Sequence, residues 1–156
     1  NEKGLWRTHQ FNKIEQFIFC KPEDSEKLYD ELFKNSEEIL KLLELPYRAI
    51  EICTGDLADW KFRSADFEVY RPTTKEYGEV MSLSNCTDYQ ARKLDIKVID
   101  KHGERKVLHT LNNTVLATSR IMVAILENFQ QKNGSVKIPK ILWKYTGFKE
   151  IKKKKT

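Results

Sequence analysis

The chain has 156 residues, 40% of them hydrophobic and 11% aromatic, enough for one domain with a buried core and an ordinary make-up for a soluble globular protein. Its longest purely apolar run, Ile121 to Leu126, falls far short of the roughly 20 residues of a membrane helix, so a membrane role is excluded and the cytoplasm is the expected location. Net charge is +5, but Lys152 to Lys155 carry four of those charges, so the body is nearly neutral and the basic balance is a tail, suited either to tracking RNA phosphates or to a solvated end.

Cys20, Cys53 and Cys86 are odd in number and widely spaced. With no Cys-x-x-Cys pair they support neither a disulfide framework nor a structural zinc site. His9, His102 and His109 add no metal-ligand spacing.

From Leu5 to Cys20 apolar and polar residues alternate, which predicts a long strand. One parity carries Arg7, Phe11 and Glu15 at four-residue intervals, the groups for a phosphate, a stacked base and an ammonium. On a flat strand Arg7 and Glu15 would stand roughly 27 Å apart, too far for one small ligand, so Arg7 is expected to curl in from a loop. The competing reading is a half-exposed strand with a wet polar face.

Pro22 ends that strand, and Asp24 or Ser25 is expected to cap a helix carrying Leu28, Leu32, Ile39 and Leu43 up to Pro46. This helix reads as support packed on a sheet. Arg48 to Thr54 predicts a buried strand ending at the Thr54-Gly-Asp56 turn, and Ala65 to Tyr70 another, with Asp66 and Glu68 on one face. A turn of about seven residues then leads to Tyr77, which suits antiparallel neighbours. Glu68 is thereby expected near Glu79, the alternative being an exposed acidic edge.

The stretch Tyr77 to Lys93 organises the chain. Val80, Met81 and Leu83 have residues to bury, yet the strand continues as Ser84-Asn-Cys-Thr-Asp88, small polar groups that need partners. In a regular strand Glu79 and Ser82 point to opposite faces, so a shared role requires a bulge or a strand end nearby. Carboxylate with hydroxyl is hard-oxygen chemistry suited to magnesium held together with phosphate. An edge strand with a polar exit is the plain alternative.

Leu94 to Ile99 and Glu104 to Leu111 predict a hairpin around Asp100-Lys-His-Gly103. Asn112 and Asn113 then read as caps of a helix reaching about Gln130, apolar nearly all round and so expected in the core. Arg120 on that helix must meet an anion or a buried carboxylate. A short terminal helix is expected between Pro139 and Gly147.

The passage Glu79-Val-Met-Ser-Leu-Ser-Asn-Cys-Thr-Asp-Tyr-Gln-Ala-Arg-Lys93 resembles the signature of seryl-tRNA synthetases, a family of class II aminoacyl-tRNA synthetases. Two further blocks agree in order. Gly4-Leu-Trp-Arg-Thr-His-Gln-Phe-Asn-Lys-Ile-Glu-Gln16 looks like the second half of class II motif 2, and His109-Thr-Leu-Asn-Asn-Thr-Val-Leu-Ala-Thr-Ser-Arg-Ile-Met-Val-Ala-Ile-Leu-Glu-Asn128 looks like motif 3. Thr54-Gly-Asp-Leu57 also matches, whereas Ala58-Asp-Trp-Lys-Phe-Arg-Ser64 departs from the small residues usual there.

The resemblance implies an α+β fold, a class II synthetase-like antiparallel sheet flanked by helices. Residues 1–148 would form part of the catalytic domain, from the second half of motif 2 through motif 3, and residues 149–156 a basic tail. ATP would be the substrate, with Arg7, Thr8, Phe11, Glu79, Val80, Met81, Ser82 and Arg120 binding it, Thr8, Val80 and Met81 through backbone groups. Arg7 and Arg120 would be catalytic by charge neutralisation, and Glu79 and Ser82 would hold Mg2+. Glu15 would take the ammonium of serine, with Asn112 and Thr114 near its hydroxyl.

The implied partners are serine and tRNA(Ser), together with a second copy of the complete protein, paired through motif 1. Motif 1, the tRNA-gripping helical arm, the first motif 2 strand and the serine loop are not found in this sequence, so the chain is expected to be part of a longer protein. A non-catalytic synthetase-like nucleotide- or RNA-binding module is the alternative function, and an RNA-binding domain working through its tail is a third.

Overall fold

The computed structural model describes residues 4–153. Lys154 and Lys155 of the tail therefore lie outside the described residues. Five strands form an antiparallel sheet in the order β1-β7-β4-β3-β2, built from β1 (Lys13–Cys20), β2 (Tyr47–Glu51), β3 (Arg63–Arg71), β4 (Glu76–Asn85) and β7 (His109–Ala117). One face is covered by α1 (Ser25–Leu42) and α3 (Thr118–Phe129). The other face is largely open and carries the polar residues.

The core between sheet and helices contains Tyr29, Leu32, Leu40, Phe67, Val69, Met81, Leu83 and Leu111, all essentially inaccessible to water. Alternation on β3 explains its share: Phe67 and Val69 face the helices, while Asp66 and Glu68 stand on the open face. Beyond the sheet, α2 (Tyr89–Leu94) leads into the small hairpin of β5 (Lys97–Ile99) and β6 (Arg105–Val107). At the C-terminal end β8 (Val136–Lys137) pairs with β9 (Glu150–Ile151) on either side of α4 (Trp143–Thr146), which ends at Gly147 in the left-handed region.

Four expectations are corrected. The N-terminal strand begins at Lys13 and not at Leu5, because residues 4–12 form turns. Arg7 accordingly lies in these turns and not on the strand, and it is exposed. The strand after Pro46 lies at the sheet edge, with Ala49 and Cys53 exposed.

Asn112 and Asn113 do not cap a helix: they lie in β7, with Thr114, Val115 and Leu116, and the helix starts only at Thr118. Pairing with β1 on one side and β4 on the other claims this segment's backbone groups for the sheet. Helix α3 is also not apolar-buried all round, since Ile121, Val123 and Ala124 are buried but Met122 stands 48% exposed.

Candidate functional site

Strand β4 contains a bulge. Phe67 pairs with Met81 and Glu68 with Glu79, so Val80 is one residue extra. Val80 and Met81 both bury their side chains, and the bulge turns Glu79 and Ser82 to the same open face, where Ser82 stands opposite Asp66. Only backbone groups of Val80 and Met81 remain for any ligand.

Glu68 and Glu79 are direct cross-strand neighbours, two carboxylates that would repel without cations. Each has its own arginine. Arg48 donates to Glu68 at 2.7 Å. Arg120, near the start of α3, donates to the Glu79 carbonyl at 2.8 Å and lies 3.3 Å from its carboxylate.

The Arg120 side chain is about one-fifth exposed, and its guanidinium lies 5.7 Å from the centre of the Trp6 ring. Trp6 is the buried residue of the loop at 5% exposure. Arg71 stacks on the same ring at 4.1 Å. Trp6 is a site residue that sequence reading missed, since the alternation marked it only as a break in the pattern.

A second bulge, at Val115 of β7, sets Glu15 opposite Thr114. The Thr114 hydroxyl donates to the Glu15 carboxylate at 3.0 Å, and the Lys13 ammonium meets the same group at 2.7 Å. Glu15 thus already holds an ammonium, one from a half-exposed side chain that a ligand amine could displace. Asn112, one position along on the same face, lies across from Ser84 and donates to the Cys86 sulfur at 3.5 Å. Burial pushes the Cys86 thiol pKa up.

Phe11 is half-exposed and shares a cavity of about 440 Å³ with Leu5, Thr8, Gln10, Asn12, Thr118, Ser119 and Met122. The loop is tied to α3 where the Asn12 carbonyl accepts from both the backbone and hydroxyl of Thr118. The Thr8 hydroxyl is buried with no partner. Arg7 is exposed at the turn closed by its own amide onto the Gly4 carbonyl. The open sheet face thus carries a carboxylate–hydroxyl pair and an acid already paired with an ammonium, and the loop beside α3 carries an aromatic ring.

No group of three or more His, Cys, Asp or Glu suited to a metal occurs among the described residues. Glu79 and Ser82 nevertheless fit a magnesium ion, because that ion takes one or two protein oxygens and draws the rest from phosphate and water.

The fold that carries these features is a class II tRNA synthetase core: the family model described as tRNA synthetase class II core domain (G, H, P, S and T) matches residues 1–129, and the chain is a member of that family. Within it, the chain is most informatively compared with serine–tRNA ligases. It is 51% identical to that of Pyrococcus abyssi over 150 residues and 55% identical to that of Picrophilus torridus, in each case over 96% of this chain.

The chain spans about a third of the length of those relatives, 33% and 34% respectively. Among solved structures, seryl-tRNA synthetase from Pyrococcus horikoshii complexed with ATP superposes with a TM-score of 0.95 at 49% identity, covering 99% of this chain and 35% of that one. Cytoplasmic serine–tRNA ligase from Naegleria fowleri in complex with AMP gives 0.89 at 41% identity, covering 97% and 36%. The expected fold, an antiparallel sheet flanked by helices, is the observed one.

Proposed function

We propose that this chain supplies part of the active site of an enzyme that activates serine with ATP and transfers it to tRNA(Ser). The observation that carries the reading is the β4 bulge, which puts Glu79 and Ser82 on one face beside Arg120. A purely structural sheet has no need for that turn of the strand.

In this reading adenine stacks on Phe11, Arg7 meets the α-phosphate and Arg120 the γ-phosphate end, while backbone groups of Thr8, Val80 and Met81 hold the nucleotide. Glu15 exchanges Lys13 for the ammonium of serine, and Thr114 and Asn112 face its hydroxyl. Glu79 and Ser82 would hold Mg2+, which when bound neutralises phosphate charge.

The serine carboxylate attacks the α-phosphorus, the bond to the bridging oxygen breaks, and pyrophosphate leaves with the electron pair. The terminal adenosine hydroxyl of the tRNA then takes the seryl group and AMP departs. No protein nucleophile is needed, because placement and fixed positive charge lower the barrier. Arg120 is already aimed by its bonds to Glu79, so little reorganisation is required.

The test is serine-dependent ATP–pyrophosphate exchange, on this chain and on a form extended to its relatives' length. Exchange in the extended form, reduced by about 10²–10³-fold in Arg120→Ala, is expected for loss of one preorganised charge. Nucleotide binding without exchange in either form would instead establish a non-catalytic module.

A further inference from the structure

Charge is unevenly placed along the chain, and most of the uneven part is folded. Residues 130–156 hold nine lysines and a single acid, Glu150, a net of +8, so with +5 for the whole chain residues 1–129 carry −3 by subtraction. The positive balance thus begins at Lys132, well before the lysine tail.

Other lysines also lack an acidic partner, but they lie among the remaining 22 acids of the chain. In the C-terminal segment the acids themselves are missing. Among the described residues none of the seven lysines from Lys132 to Lys153 forms an ion pair, and all seven are exposed. Glu150, opposite Lys137 in the β8–β9 pair, instead accepts from the Ser135 hydroxyl at 2.5 Å.

Within this segment α4 and the turn after it form a fixed knob. The Gly147 amide donates to the Trp143 carbonyl at 3.0 Å, and the Thr146 hydroxyl lies 3.2 and 2.7 Å from the Leu142 and Phe148 carbonyls. The Trp143 indole donates to the carbonyl of buried Ile138 at 2.8 Å. On the outside Tyr145 stands 72% exposed and Phe148 49%. Lys144 lies 4.7 Å from the Tyr145 ring and Lys149 4.5 Å from the Trp143 ring. Lys140, four residues before Lys144 on the preceding helical turn, shares its side. Exposed rings flanked by cations, with no acid to neutralise them, suit phosphates and unpaired bases.

The knob is separate from the open face of the sheet. Asn128, in the last turn of α3, donates to the Tyr70 carbonyl at 2.9 Å, so the segment that follows starts at the Arg71 end of β3 on the covered side. There β8 packs against α3, Leu142 joins the core, and Lys140 and Ile141 share a hollow of about 430 Å³ with Leu42 at the end of α1. No group assigned to ATP or serine belongs to this segment.

We propose that the knob from Trp143 to Lys149, together with Lys140, is a docking surface for the phosphate backbone of the RNA, with Tyr145 stacking on an unpaired base. The contact falls on a part of the RNA away from its reacting terminal adenosine. This deepens the seryl-transfer reading, on which the choice of RNA rests. An anionic membrane is the other polyanion with matching charge, but it calls for a helix long enough to lay an apolar face among the headgroups. α4 is a single turn, Trp143–Thr146.

The experiment titrates a tRNA(Ser) transcript into the extended protein at several salt concentrations. The triple variant Lys140→Gln, Lys144→Gln, Lys149→Gln should raise Kd about tenfold or more and make the slope of log K against log salt shallower by about two to three. Tyr145→Ala should raise Kd about fivefold or more at unchanged slope. Serine-dependent exchange without RNA should stay at the parent level in both, which separates the knob from the active face. Parent-like affinity and slope in the triple variant overturn the surface. If Lys152→Gln with Lys153→Gln then weakens RNA binding, the contact belongs to the tail. If the triple variant instead loses binding only to vesicles of phosphatidylcholine and phosphatidylserine, the partner is a membrane. Parent-like affinity in Tyr145→Ala overturns the stacking.

An extended protein inactive in exchange would overturn the serine-activating reading, and the RNA titration, which needs no catalysis, still decides on the knob. Absence of salt-dependent RNA binding by the parent overturns the surface whatever the activity.

Discussion

Asn113 shows at the level of one residue how a polar group can specify the sheet. Its amide, with no exposure, donates to the Ser36 hydroxyl at 2.8 Å, to Gln16 at 3.2 Å and to the Leu32 carbonyl at 3.3 Å. Ser36 donates back to its carbonyl oxygen at 3.2 Å. Three elements, α1, β1 and β7, therefore meet on one side chain. Asn113→Leu fills the volume but strands a buried hydroxyl and an amide oxygen, at a cost of about 1–3 kcal/mol. Urea unfolding should show that loss as a lower midpoint at unchanged slope, and an unchanged midpoint would mean that the network contributes nothing net. The sequence offered no means of seeing this: Asn-Asn before an apolar run is also the chemistry of a helix cap, and only the two neighbouring strands decide between them.

Strand β4 is the element on which the site depends. Its Gly78 packs against Trp6 so closely that an added Cβ would overlap the indole ring and approach Arg71 Cδ at 3.1 Å. Gly78→Ala must push Trp6 aside, with an overpacking cost of about 1–3 kcal/mol. Because the Trp6 ring also lies under Arg120 and fixes the loop carrying Arg7 and Phe11, the extended enzyme should lose apparent affinity for ATP more than for serine. Steady-state exchange kinetics of Gly78→Ala check this, and equal loss for both substrates would show general destabilisation alone. The same strand shows how far sequence reaches. Period-two geometry required a bulge or a strand end for Glu79 and Ser82 to share a face, and turn length made Glu68 beside Glu79 one of two readings, the one the register bears out. The burial of Trp6 beneath Arg71 did not follow from either, because it depends on where an irregular loop folds back, and no periodicity records that. The helix misplaced onto Asn112 to Ala117 has the same origin, since a run such as Val115-Leu-Ala117 is apolar whether it continues a strand or a helix, and long-range pairing overrides the local pattern.

At the scale of the whole molecule, the sheet is closed by helices on one face but not at its margin. Among the described residues strand β1 bonds to β7 on one side only, so its other edge is an unpaired ladder eight residues long with no proline. On the open face beside that edge Phe17 and Phe19 stand 61% and 58% exposed, next to a hollow of about 300 Å³ that they form with Tyr89, Leu94 and Ile96. An edge that is long and flanked by aromatic rings pairs with whatever strand it meets. The isolated chain should therefore self-associate, with a sedimentation coefficient that rises with concentration. Two changes should return it to a monomer without altering the fold: Phe17→Lys with Phe19→Lys, which puts charge beside the edge, or a proline-bearing peptide-length block at the outer side of β1 that removes its donors. If the lysine variant associates as strongly as the parent while its circular dichroism is native, the contact runs through another surface and the β1 edge is not responsible. A monomeric parent at all concentrations would mean that the edge is protected by its own twist, despite its length and composition.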